Sequence, residues 1–98
     1  MAVNVAPWIK ELCTTSGTGN LVLSDKIDNY IRFNAALSNG DQVYYAILDS
    51  NGNRETGIGT FDGLNTITRD TVTATLTNGA YVENPANGLN LNGSWLGN

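Results

Sequence analysis

The sequence predicts an all-β fold: a small antiparallel sandwich or barrel-like domain built around a three-stranded meander at residues 41–76. Three features carry that prediction. Apolar and polar residues alternate through 41–76 in segments of strand length. The pairs Asn51-Gly52 and Asp62-Gly63 fall between those segments, and both are strong turn formers. Helical periodicity is scarce elsewhere, while Thr, Val, Ile and Tyr are frequent.

From the N-terminus, "PWIKELCTT" lies beside Pro7 and runs into β-branched residues, which predicts an edge strand rather than a helix. "TSGTGN", residues 15–20, is a turn of permissive residues, and "LVLS" after it is a short strand. "DKIDNY" is polar and suits a bend or one helical turn; "YIRFNAAL", residues 30–37, alternates only weakly. "SNGD", residues 38–41, turns the chain into "DQVYYAILD". There Val43, Tyr45 and Ile47 share one face, and Gln42, Tyr44, Ala46 and Leu48 the other. Both faces are largely apolar, so this strand is expected to be central or sandwiched.

Asn51-Gly52 then predicts a type I′ hairpin turn, which needs positive φ at both central residues. In the return strand "RETGIGTF", Gly57 and Gly59 share a face. Two glycines weaken a strand, so a close neighbour is expected: a ring such as Tyr45 or Tyr44 lying across them, or a second backbone. After Asp62-Gly63 comes the long Thr-rich strand "NTITRDTVTATL", residues 65–76. Its apolar face switches parity from Ile67 to Val72, Ala74 and Leu76, which a bulge at residues 69–71 would produce. Asn78-Gly79 and Asn87-Gly88 are turns, and "YVE" and "GLNLNGS" short strands. The whole chain, 1–98, reads as a single β-domain with its core at about 8–76. Residues 77–98 are further strands or an assembly arm, and Trp95 packs back on the domain, meets a partner, or precedes a natural continuation of the chain.

Composition narrows the function. At 98 residues the chain is one domain at most. Its net charge is −4, and Lys10, Lys26, Arg32, Arg54 and Arg69 are scattered, which argues against nucleic-acid binding. The lone Cys13 allows no internal disulfide, is expected to be a small buried hydrophobe, and suits a reducing compartment. The N-terminus lacks the pattern of a signal peptide, and no window is long and apolar enough to span a membrane. A soluble product made in the cytoplasm is expected.

The absence of histidine removes Ser–His–Asp and Cys–His catalysis and the usual zinc sites. Carboxylate-pair hydrolysis survives on composition, but Asp49, Glu55, Asp62 and Asp70 fall mostly at strand ends and turns, where such residues cap. The D-x-N-x-N pattern of residues 49–53 opens like a calcium loop. Arg54 stands where that loop needs Gly, however, and Thr60 where it needs Glu. "TGIGTF" and "TSGTGN" lack the GK[ST] and following helix of a phosphate loop. No catalytic residue, metal ligand or cofactor is therefore expected, and the protein is read as a non-enzyme.

One block carries a resemblance. "TTSGTGNLVLSD", "YIRFNAAL", "NGDQVYYAILDSNGNRETGIGTF" and "LNTITRDTVTATL", across roughly residues 8–76, resemble a small β-module of tailed-bacteriophage virion proteins. The order GD, YYAI, GN-E and GIGT is the specific part. The resemblance implies a structural virion component with no catalytic residues to carry over. It is expected in the tail or fibre apparatus, attached to an adaptor or anchoring a fibre, as a homotrimer or ring. The partners it implies are other virion proteins, of the tail, adaptor, fibre or capsid. A capsid decoration protein is the alternative, and a carbohydrate-binding module a more remote one. Candidate interface residues are Trp8, Tyr44, Gly57, Gly59 and Trp95.

Overall fold

The computed structural model describes residues 3–4, 8–89 and 91–97. In chain order the elements are β1 (Val3–Asn4), β2 (Lys10–Gly17), β3 (Leu21–Lys26), α1 (Phe33–Ala36), β4 (Gln42–Asp49), β5 (Arg54–Phe61), β6 (Thr66–Thr77), β7 (Ala80–Glu83) and β8 (Leu91–Gly97). The expected meander is present: β4 pairs β5 and β5 pairs β6, both antiparallel.

Closure comes from β8. It pairs antiparallel with β2 on one side and with β4 on the other. With β2–β3 and β3–β6 also paired antiparallel, the circuit β4–β5–β6–β3–β2–β8 returns to its start. The fold is thus barrel-like rather than a two-sheet sandwich, and closure removes most exposed strand edges. Off the circuit, β1 lies parallel to the start of β4, and β7 folds back on β6.

Several local expectations are corrected. β2 is not an edge strand, since both of its sides are paired. β4 is central but not sandwiched, because Tyr44 and Ala46 face solvent while Val43, Tyr45, Ile47 and Asp49 are buried. The segment read as a turn at 15–20 keeps strand pairing to Gly17. There the Thr15 hydroxyl donates to the Asn20 carbonyl and accepts from Val22 N–H, which tightens the reversal. "DKIDNY" continues β3 to Lys26 before turning at Asn29, whose φ is 70°. The weakly alternating "YIRFNAAL" holds α1, whose first amide, Phe33 N–H, donates to Glu11 Oε2 at 2.8 Å.

The Asn51-Gly52 turn is not type I′, because only Gly52 has positive φ. Asp49 decides the geometry: its Oδ1 accepts from the amides of Asn51 and Asn53, and its carbonyl accepts from Gly52 N–H. That is a three-residue loop with glycine in the left-handed position. The type I′ geometry occurs instead at Asn78 and Gly79, with φ of 50° and 80°. The bulge expected at 69–71 is present, as the pairing skips Asp70, but a second skips Thr73, so Ala74 and Leu76 do not share the inward face of Val72 as expected and lie on the outer face instead. Inward positions of β6 therefore run Ile67, Arg69, Val72 and Thr75, facing Phe61, Gly59, Gly57 and Glu55 of β5.

The core gathers Ile9, Cys13, Leu21, Leu23, Phe33, Leu37, Val43, Tyr45, Ile47, Phe61, Ile67 and Leu91. Cys13 is free and buried, as expected. Phe33 meets Phe61 at 6.3 Å between ring centroids, so α1 is held through one aromatic anchor and Leu37.

Candidate functional site

Inside the barrel, alternation along β5 aims Glu55, Gly57, Gly59 and Phe61 inward. The missing side chains at 57 and 59 are filled from within the chain. A β-carbon on Gly57 would collide with the Tyr45 ring and the Thr71 carbonyl, and one on Gly59 with the Thr68 carbonyl and Ile67. Both expectations for these glycines hold at once: a ring crosses one of them, and a backbone approaches both. The room left by Gly57 lets the Tyr45 hydroxyl reach Glu55 Oε2 at 2.8 Å.

Glu55 is the centre of a buried polar cluster. Its Oε1 accepts from Arg69 Nη2 at 3.0 Å and from Leu89 N–H at 2.7 Å. Arg69 also donates to the carbonyls of Leu89 and Gly17. The two charged side chains are 0% and 5% exposed. Arg69 Nε is the one buried side-chain polar atom among the described residues without a partner. Burial, then the Glu55 charge and hydrogen bond, hold the Tyr45 hydroxyl protonated well above the ordinary phenol range, with Arg69 opposing in part. The cluster ties β4, β5, β6, the end of β2 and the segment leading into β8 to one carboxylate. Chemically it is closed: its anion is matched by a cation and neutral donors, and no face of Glu55 is open to a substrate.

The other acidic groups hold turns and strand ends. Asp62 Oδ1 accepts from the amides of Leu64, Asn65 and Thr66, and those bonds, Thr66 first, keep its carboxyl below the usual aspartate range. Asp70, on the bulge, accepts from the hydroxyls of Thr60 and Thr68. Glu11 is a second buried carboxylate, bound by Arg32 Nε and Phe33 N–H. Among the described residues, no three acidic or cysteine side chains come together as metal ligands.

The candidate interface residues do not form one patch. Gly57 and Gly59 are buried in the barrel, so neither offers a surface to a neighbouring subunit. Tyr44 lies on the outer face of β4, opposite Ile58 of β5, and is 46% exposed. Trp8 is 73% exposed and has a φ of 66°, with its carbonyl accepting from Ile31 N–H. Trp95 is not on a loose tail: its backbone pairs with Leu12 of β2 and Leu48 of β4, while its side chain lies outside the described residues. Sequence reading missed Glu55 and Arg69 as a pair. The signal was there, since Glu55 shares the parity of Gly57 and Phe61, and Arg69 that of Ile67.

No family model, curated protein or solved structure matches the chain.

Proposed function

We propose that the protein is a non-enzymatic structural component of a tailed-phage virion, a small oligomeric β-domain of the tail or fibre apparatus that works by shape and contact. The observation that carries this reading is the role of the motif residues. Tyr45, Glu55, Gly57, Gly59 and Arg69, all within the block that resembles the virion module, interlock as the barrel's inner cluster. The motif is therefore spent on holding a rigid scaffold, and its outward residues are left for contacts. Exposed aromatic rings at Trp8, Tyr44 and Tyr81 supply large contact area at low entropic cost. The partners are other virion proteins, and the location is the assembled particle after synthesis in the bacterial host.

Cryo-EM of the parent particle, with co-sedimentation of the purified protein against isolated tails and heads, tests the proposal. Density and binding at the tail or fibre support it. Binding at symmetric positions of the head establishes the capsid-decoration alternative instead. Absence from the particle, together with binding to a glycan panel, moves the assignment to a carbohydrate-binding module.

A further inference from the structure

The register of β5, β6 and β7 places two rows of side chains on the outer face of this part of the sheet. Arg54 pairs opposite Leu76, and Leu76 opposite Tyr81. One row on, Thr56 pairs opposite Ala74, and Ala74 opposite Glu83. The opposite face is the one that carries the buried Glu55 and Thr75. A hollow of about 310 Å³ lies against these rows, touching Arg54, Thr56, Ala74, Leu76 and Tyr81 and also Glu55 and Thr75, the residues between them in sequence. Tyr81 is 63% exposed, and every residue of β7 is exposed. Arg54 has no ion-pair partner among the described residues, and Glu83 has only a long contact, 3.5 Å, from the Tyr81 hydroxyl.

The patch therefore has an apolar middle, a free cation at one corner and an anion at the diagonally opposite corner. That pattern is self-complementary. A two-fold axis lying in the contact plane along the Tyr81–Thr56 diagonal brings Arg54 of one copy to Glu83 of the other, twice. It also lays Leu76 of each copy across the Ala74–Glu83 row of the other and brings the two Tyr81 residues together at the axis. An isologous contact requires residue i to meet j and j to meet i, which this arrangement satisfies. The strands of the two sheets would cross nearer to perpendicular than to parallel, one of the accepted ways for sheets to pack.

We propose that the outer face of β5, β6 and β7 is a two-fold interface between copies of this chain. This deepens the assembly reading above and rests on it only for the expectation that copies meet. The occupant is a second copy because each charge on the patch finds its opposite on the same patch. The contact is small beside a standard interface of about 1,600 Å², so it is weak in solution and strengthens where copies are held close, as on a particle.

Sedimentation equilibrium and light scattering across a concentration series test this, with Arg54→Glu, Glu83→Arg and the combined R54E/E83R protein. Both positions are exposed, and circular dichroism checks that each variant keeps the fold. Each single reversal creates two like-charge contacts, so the dissociation constant should rise about tenfold or more. The combined reversal should return it toward the wild-type value, and added salt should weaken the wild-type dimer. A wild-type protein that stays monomeric at millimolar concentration overturns the proposal. So does a dimer indifferent to the single reversals, or a combined variant no better than either alone. Particle binding by a strictly monomeric protein would sink this interface alone, and a dimer that ignores particles would sink only the virion reading.

Discussion

Glu55 shows how far one side chain can organise this protein. A fully enclosed carboxylate is tolerable only with a matched charge and saturated lone pairs, which Arg69, Tyr45 and Leu89 provide. Glu55→Ala leaves Arg69 buried without its counter-ion, and urea denaturation should show a loss of about 3–5 kcal/mol, a large share of a small domain's stability. Adding Arg69→Met to that background should recover much of the loss, because two apolar groups avoid the desolvation that one stranded charge suffers. Tyr45 makes a separate, pH-dependent prediction. Its hydroxyl ionises at higher pH in the folded protein than in the unfolded chain. The resulting stabilisation is complete below the unfolded phenol value of about pH 10 and is lost as pH rises beyond it. Tyr45→Phe should therefore be less stable at neutral pH, by about 1–2 kcal/mol, yet lose stability less steeply above pH about 10. Unfolding free energies measured on both sides of that pH check the crossover.

At the scale of elements, the turns separate two asparagines that look alike in sequence. Asn78 sits at a φ of 50° in the β6–β7 hairpin, whereas Asn51 has no positive φ and its turn is set by Asp49. Asn78→Ala should cost about 1 kcal/mol, because asparagine settles in left-handed backbone through local side-chain hydrogen bonds that alanine lacks, and Asn51→Ala appreciably less. Thermal melts of the two variants side by side test the distinction. The bulges of β6 belong to this scale as well. Without the skips at Asp70 and Thr73, a strict period of two from Ile67 would point Thr71 and Thr73 inward; the first skip brings Val72 in instead, and the second restores the original parity at Thr75. The parity change was visible in "ITRDTV"; the second bulge was not, because Ala74 and Leu76 continue the alternation from Val72 in sequence, yet the structure turns them outward and Thr75 in.

For the whole molecule, the decisive element is β8, which joins β2 to β4 and completes the circuit. The Glu55–Arg69 cluster holds the chain at Leu89, just ahead of that strand. A protein ending at residue 89 should expose the facing edges of β2 and β4 together with the core around Leu91. It should bind an apolar dye and associate through those edges. Dye binding and sedimentation indistinguishable from the full chain would show that closure contributes little.

Residues 41–76 announced themselves because hairpin pairing is local: alternation and glycine turns lie within a few residues of the contacts they specify. The all-β class, the meander, the first bulge, the burial of Cys13 and the close packing over Gly57 and Gly59 could all be read from the chain in order. Barrel closure, the two-sided pairing of β2, the inner ion pair and the side-chain row from Arg54 to Tyr81 could not. Each joins segments far apart in sequence, and nothing in a strand's own pattern names which distant strand or charge it will meet. Only the folded chain, by enclosing the interior, decided which polar residues became buried scaffold and which stayed on the surface.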